Sequence, residues 1–515
     1  MYLALEAGRP RKIRINSEMD MQANYDVLIS GYGPVGATLA TLLAQQGLKV
    51  AILEREPGIY HLARAGHLDA EVMRVFQAIG VAEELEKQCA VTLGMRFLDA
   101  DGALLMEWKR GGEKGALGWV SDYMFHQPTL ERILRAKVNA SSDIDVYLQH
   151  DVYAIENRED AVIVKAEDHR SGRLVKLTGR YLVGCDGARS LVRRTMEVEQ
   201  EDLGFKQKWL VIDVEEKRDL GLERVSTQHC NPERPMYASC TSDKMLRWEI
   251  MVKPEDEIHH ITKPDVIWDF IENSMRPIRR EDGQLMRSAV YTFESLIART
   301  WRRGRMFIAG DAAHRMPPFL GQGMCAGIRD ASNLAWKLAA VCQGRADDTL
   351  LDTYESERRP HLKVFTEGAI EAGKFVQMRD PVELERRVRD MRDNPKAYAP
   401  PNPPLGPGLQ SRHGESGLGR QFVQPAVRGS LLDSMAGHAF ALVGTEQFME
   451  QQTIAHLRSA HPSLQLIALE EGQQDLLLPW GAAAVLMRPD RYVHGAVAAV
   501  DEAISLIDKL PLKLS

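Results

Sequence analysis

Cysteine is scarce in this chain: Cys89, Cys185, Cys230, Cys240, Cys325 and Cys342 are the full set of 6 in 515 residues, and no two form a C-x-x-C pair. That scatter argues against a disulfide framework, a zinc site or a dithiol redox centre, and it suits a reducing cytoplasm. Long apolar runs are missing as well; no stretch approaches the roughly 18 residues a membrane helix needs. Excess positive charge is absent, with a net charge of −7, so nothing points to nucleic acid or an anionic membrane as partner. The first two dozen residues, 1–24, carry Arg9, Arg11, Lys12 and Arg14 without an apolar segment behind them. They read as a disordered lead rather than a secretory signal, with Met19 or Met21 as alternative starts. What is present, 44% hydrophobic and 27% charged residues, suits globular cores in a chain long enough for about three domains.

The most informative segment is Tyr25-Asp-Val-Leu-Ile-Ser-Gly31-Tyr-Gly33-Pro34-Val35-Gly36. An apolar strand runs into three glycines and then into the helical pattern of Leu39, Leu42 and Leu43, with Gly47 as a stop and Val50-Ala-Ile-Leu53 as a second strand. Gly31 permits the tight turn, Gly33 the approach of the backbone to a pyrophosphate, and Gly36 close packing of helix on strand. The helix N-terminus, at Pro34 and Val35, offers N–H groups and partial positive charge to phosphate. Glu54 ends the second strand eighteen residues past the third glycine, where a carboxylate can accept from a ribose hydroxyl, with Arg55 beside it.

Helical periodicity follows over Asp69 to Leu85 and again at Gln127-Pro-Thr-Leu130-Glu-Arg-Ile133-Leu134, and strand-like alternation dominates from about 200 to 294. Trp209, Trp248 and Tyr291 are available there to line an apolar cavity. The prolines from Pro400 to Pro407 read as a linker. Two further motifs share one design, a strand ending in a glycine–aspartate turn before a helix: Tyr181-Leu-Val-Gly184-Cys185-Asp186-Gly187, and Met306-Phe-Ile-Ala309-Gly310-Asp311. Glycine allows close backbone approach and aspartate accepts from ribityl or ribose hydroxyls. Either turn alone is a common structural feature; three such motifs in order form a consistent set.

Together these motifs resemble those of the flavoprotein aromatic hydroxylases, the group of p-hydroxybenzoate hydroxylase and phenol hydroxylase, over roughly residues 25–375. Arg64-Ala65-Gly66-His67, His126-Gln127-Pro-Thr and Pro317-Pro318-Phe319-Leu320-Gly321-Gln322-Gly323-Met324-Cys325 are most similar to 3-(3-hydroxyphenyl)propionate hydroxylases. The resemblance implies an α/β fold: a Rossmann-like FAD-binding domain (25–92, 119–198 and 295–395), an inserted β-sheet substrate domain (93–118 and 199–294) and a thioredoxin-like C-terminal domain (405–515). It implies FAD as cofactor, NADH or NADPH as electron donor, and dioxygen and a small aromatic substrate as reactants; a homo-oligomer is compatible with it. Gly31, Gly33, Gly36 and Glu54 would hold the AMP half, Gln127 would meet the ribityl chain, Asp186 and Gly187 would lie near the pyrophosphate, and Asp311, after Gly310, would bind ribityl hydroxyls. Arg64 would lie by the flavin, and Pro317, Pro318, Gly321, Gly323 and Met324 would run under its ring. Where many relatives carry Asn, this chain has Cys325, which reads as a small buried hydrophobe.

The implied reaction places a hydroxyl ortho to an existing phenolic one, with 3-(3-hydroxyphenyl)propionate or 3-hydroxycinnamate as leading substrate and another aromatic or polycyclic phenol as the alternative. No metal is required. His67, next to the expected flavin edge, is the candidate for acid/base work, with a packing role as its alternative; Arg64 and the peptide groups around Pro317 are the next candidates. His314 reads as a structural residue at a helix start. Arg224, Arg234 and Arg247 are the cations available for a substrate carboxylate, each in a polar neighbourhood that suggests a solvated surface position. A flavin halogenase would show a Trp-x-Trp-x-Ile-Pro run, which is absent, and a plain dehydrogenase leaves Asp186 and Asp311 without a task. A non-hydroxylating FAD-binding protein would bind the cofactor without substrate-stimulated oxidation of reduced nicotinamide.

Overall fold

A computed structural model describes residues 25–59, 65–109, 111–242, 244–378, 380–394, 401–409 and 418–514. Arg64 and the lead at 1–24 lie outside the described residues.

The first sheet forms because its strands are apolar on both faces. Val27, Leu28 and Ile29 are fully buried, as are Val50, Ala51 and Ile52. Tyr25–Ser30 therefore sits at the centre, parallel to Val50–Glu54 on one side and to the end of Arg173–Gly184 on the other, with Met306–Ile308 parallel beyond it. Such a parallel arrangement requires helical crossovers. Pro34–Ala44 is the first of these, and Gly323–Cys342, buried along nearly its whole length, is another helix of the same core. The helical stretch from Asp69 breaks at Gly80 (φ +73°), where only glycine sits without strain, into Ala70–Ala78 and Ala82–Glu86.

The second sheet has eight strands in the order His314–Arg315, Gly283–Ala298, Gln200–Glu216, Met245–Met251, Met236–Cys240, Ser226–His229, Gly94–Leu98 and Leu104–Lys109. Side chains alternate between its faces. Leu210, Ile212, Leu246, Trp248 and Ile250 point to one face and form a core with Ile267, Trp268 and Ile271 of the helix Pro264–Glu272. Trp248 is thus a core residue whose indole N–H donates to Ser274, and it does not line a cavity. The opposite face looks back toward the first sheet.

The C-terminal strands Ala441–Gly444, Gln465–Ala468, Ala484–Met487 and Val493–Val497 pair in the order second, first, third, fourth; the first two are parallel and the rest antiparallel. With the helix Gln452–Ala460 between the parallel pair and Val500–Asp508 at the end, this is a thioredoxin-like arrangement. The final helix starts at Val500, after Val497 has paired with Ala484 at the end of the last strand. Residues 401–407, the described part of the proline-rich segment, are packed rather than loose. Leu405 is 1% exposed, and the Gly406 N–H donates to the Glu357 carbonyl of the long helix Thr353–Val376.

Candidate active site

The carboxyl ends of Tyr25–Ser30, Arg173–Gly184 and Met306–Ile308 open onto one cavity of about 1490 Å³. That exceeds the roughly 300–1,000 Å³ of a site for a single small ligand, and the cavity continues to the inner face of the second sheet. Its two ends have different chemistry.

At the glycine-loop end, the three glycines divide their work as the sequence suggests. A Cβ on Gly31 (φ +104°) would lie 2.3 Å from the Cys185 carbonyl oxygen, and one on Gly36 would lie 2.2 Å from the Gly31 carbonyl oxygen. A Cβ on Gly33 would meet nothing within 4 Å, so the space beside it is open for a ligand. No side chain caps the helix that starts at Pro34, which leaves its first-turn N–H groups facing that space. Val35 lines the cavity and also packs against the third motif and the helix Gly323–Cys342, since a Cβ on Gly310 would fall 3.0 Å from its Cγ2 and one on Gly327 2.6 Å from it. Glu54 accepts from the Tyr32 N–H (2.8 Å) and the Glu56 N–H (2.9 Å); each oxygen keeps a lone pair for a ribose hydroxyl. Arg55 lines the same rim and pairs with Glu56.

Gln127 lines the wall, its Oε1 accepting from the Ala65 N–H and its Nε2 donating to Glu131, both at 2.9 Å. Asp311 is exposed on the 3-10 turn Gly310–Ala312, and among the described residues no hydrogen bond reaches its carboxylate. An unclaimed acceptor on the cavity wall fits the polyhydroxyl chain of FAD. Asp186 behaves differently. Its Oδ2 accepts from the Leu191 and Val192 N–H groups and so caps the helix Leu191–Thr195, and burial raises its pKa. Its Oδ1 has no hydrogen-bond partner among the described residues, and Asp186 lines the cavity together with the backbone of Gly187 (φ +76°).

Met316 and the run from Pro318 through Gly321, Gly323 and Met324 form the neighbouring wall. Pro317 departs from expectation: it is buried and off the cavity lining, because it serves as the N-cap of the turn Pro318–Leu320. Gly321 (φ +65°) lies against His67, where a Cβ would come within 2.8 Å of the imidazole. His67 Nε2 faces Asp122 Oδ1 at 2.9 Å and Nδ1 faces the Gly321 carbonyl at 3.3 Å. Burial by itself would lower the imidazole pKa, but the Asp122 carboxylate and Cys325 outweigh it and hold the group well above its ordinary value. A ring between two acceptors carries a proton on each nitrogen. In that form the ring can give a proton but has no lone pair to receive one, so of the acid/base work expected of His67 it suits the acid half. Cys325 is buried with its thiol toward the His67 and Gly321 carbonyls at 3.6 and 3.8 Å, and burial pushes its pKa up. His314 is structural but sits in a short strand rather than at a helix start, fixed to Asp330 at 2.7 Å.

The far end is lined by the second sheet. Trp209 is 1% exposed and meets the Phe319 ring edge-on at 5.6 Å, and Tyr291, paired opposite Trp209, shares the wall. Among these apolar residues the inner face carries charge. Arg247 is not at the surface: its side chain is 4% exposed, and its Nε donates to Asp213 Oδ1 at 2.8 Å. Arg287 Nη1 reaches Asp213 Oδ2 at 3.3 Å, and Glu249 lies beside Arg247. Arg224 is exposed, and Arg234 is bound to Asp256, both away from the cavity. Sequence reasoning passed over Asp213 and Glu249. The signal was there in Met245-Leu-Arg-Trp-Glu-Ile-Met251, a strand that carries Arg247 and Glu249 two residues apart and hence on one face. Asp122 and the Asp69–Glu71–Arg329 cluster, with Arg329 donating to both carboxylates at 2.5 and 2.6 Å, had no local signal because their partners are distant in sequence.

Residues 24–369 match the family described as FAD binding domain. The chain is 34% identical over 506 residues, 94% of each chain, to a probable NADH-specific resorcinol 4-hydroxylase of Rhodococcus jostii. It is 32% identical over 519 residues, covering 92% of this chain and 89% of the relative, to a 3-(3-hydroxy-phenyl)propionate/3-hydroxycinnamic acid hydroxylase of Mycobacterium sp. strain JLS. In fold it is similar to an aklavinone-11 hydroxylase solved with FAD and aklavinone, at a TM-score of 0.79 and 22% identity, covering 96% of this chain and 100% of that one. The chain belongs to the FAD-dependent aromatic hydroxylases, flavoprotein monooxygenases built on this FAD-binding domain.

Proposed function

We propose that this hydroxylase uses NADH and dioxygen to place a hydroxyl ortho to the existing hydroxyl of a single-ring phenol, with 3-(3-hydroxyphenyl)propionate or 3-hydroxycinnamate as leading substrate. The observation that carries the reading is the continuity of one cavity from the open face of Gly33 and the unclaimed Asp311 to an aromatic wall with buried polar groups. Gly31, Gly33, Glu54, Gln127, Gly187 and Asp311 would hold FAD, which supplies hydride acceptance from NADH and activation of dioxygen when bound. Trp209, Phe319 and Tyr291 would seat the aromatic ring and exclude water. His67, as an imidazolium between Asp122 and Gly321, would fix the Pro318–Met324 wall. In this reading 25–92, 119–198 and 295–395 serve the cofactor, 93–118 and 199–294 the substrate, and 405–515 braces the FAD-binding unit through Arg74–Asp433 and Tyr492–Glu71.

Resorcinol is the second reading, favoured by a specific observation. Of the three arginines suited to a substrate carboxylate, only Arg247 lines the cavity, and Asp213 already holds it. A panel containing both substrates, with NADH oxidation and product identification, tests the reading. The expected result is a catechol or hydroxyquinol product formed in step with NADH consumption. If no phenol stimulates NADH oxidation by the FAD-loaded protein, the reading is wrong.

A further inference from the structure

Arg247, Glu249, Asp213 and Arg287 form a buried ionic group at the substrate end, and its members are unequally committed. Their side chains are 4%, 13%, 6% and 5% exposed. Strand register explains the grouping. Arg247 pairs with Asp213 across one edge and with Ser239 across the other, Glu249 pairs with Val211 and Tyr237, and Asp213 pairs with Arg287, so all project from one face. Asp213 is gripped by both arginines, with Arg247 at 2.8 and 3.2 Å and Arg287 at 3.3 Å. Glu249 has one distant cation, Arg247 Nη1 at 3.8 Å, and among the described residues no hydrogen bond reaches its carboxylate. It lines the cavity between Tyr237, whose hydroxyl is turned to Ser226, and Arg247. Glu249 is partly buried with its carboxylate open to the cavity, so its acceptor positions are available to a donor on a ligand.

We propose that Glu249 receives the phenolic hydroxyl of the substrate, accepting its hydrogen bond and then its proton. The inference rests on the reading that the substrate is a phenol. In the step, the phenolic O–H bond breaks, the proton forms an O–H bond on the Glu249 carboxylate, and the electron pair stays on the phenolate oxygen; nothing is oxidised or reduced. Charge stays balanced. With Glu249 ionised, two arginines face two carboxylates around a neutral phenol; with Glu249 protonated, the remaining net positive charge of Arg247, Arg287 and Asp213 faces the phenolate. An ordinary glutamate is far too acidic to deprotonate a phenol, with pKa values of about 4.3 against about 10. Burial raises Glu249, against the opposing pull of Arg247, and the adjacent arginines favour the phenolate, so the gap narrows from both sides. The other titratable groups that act on it are Asp213 and Arg287, with Tyr237, whose hydroxyl burial pushes up, beside it; His126, whose imidazole burial lowers, faces Asp213, Arg247 and Arg287. A more nucleophilic phenolate is what an electrophilic oxygen transfer needs.

The test compares Glu249→Gln and Glu249→Asp with the unaltered FAD-loaded enzyme on a phenol and on its polyfluorinated counterpart, which is already ionised in water at the assay pH. Glu249→Gln is expected to lower product formation about 10²-fold on the ordinary phenol and less than about tenfold on the fluorinated one, while Glu249→Asp retains the larger share of activity on both. Equal loss on both phenols overturns the proposal, since a merely structural defect does not depend on substrate acidity. If the Gln variant fails to bind FAD, binding to the unaltered oxidised enzyme decides: the phenol must bind at least about tenfold more tightly than its methyl ether, and equal binding overturns the proposal. Absence of any phenol-stimulated activity in the unaltered enzyme is the separate outcome that removes the proposed function itself.

Discussion

His67 Nε2 lies 2.9 Å from Asp122 Oδ1, and this ion pair fixes the ring whose other nitrogen faces the Gly321 carbonyl. Because the folded-state pKa of His67 is raised, its contribution is fully present below the unfolded value near 6.5 and is lost as pH rises through the higher folded value. Asp122→Asn should therefore destabilise the protein by about 1.5–3 kcal/mol at pH values below that window, the worth of a charge-assisted hydrogen bond. The difference from the unaltered protein should shrink as pH rises. Denaturant titrations across the pH range check this; a gap that is constant or widens with pH contradicts an imidazolium at His67.

The glycines at 33 and 36 should fail in different ways. Gly36→Ala forces a Cβ onto the Gly31 carbonyl, and overpacking against rigid backbone costs about 1–3 kcal/mol or more, so both stability and FAD content should fall. Gly33→Ala has open space and an ordinary φ of −78°. It should leave the stability of the FAD-free protein within about 0.5 kcal/mol of the original while weakening FAD binding. Thermal melts of both forms with flavin absorbance separate the two. Normal FAD affinity in Gly33→Ala would move the pyrophosphate away from this loop.

Much of the cofactor end was legible because its chemistry is local. A tight turn, a close approach and a helix start occupy consecutive residues, so Gly31, Gly33 and Gly36 announce themselves in sequence, and Glu54 follows at the end of the next strand. The substrate end is assembled from strands far apart in the chain: Asp213, Arg247 and Arg287 meet only through antiparallel register. Arg247 therefore reads as a surface arginine until its partner 34 residues away is known. Asp186 shows the converse. Its motif marked a real turn, yet one carboxylate oxygen, Oδ2, is taken by the N–H groups of the following helix while Oδ1 is left without a hydrogen-bond partner among the described residues, beside the cavity, a division that sequence does not carry.

Asp311→Ala should weaken FAD binding about ten- to a hundredfold with little effect on folding, because no described residue depends on its carboxylate. Fluorescence titration of the FAD-free protein measures the constant directly. An unchanged value would reduce Asp311 to a turn residue.

The central claim, oxygen transfer from dioxygen to a phenol, is tested most directly by turnover under ¹⁸O₂ with NADH and mass spectrometry of the product. The account predicts one labelled oxygen per product molecule, placed ortho to the original hydroxyl and formed in step with NADH consumption. An unlabelled product, or NADH oxidation that yields only hydrogen peroxide with every phenol tried, would contradict it.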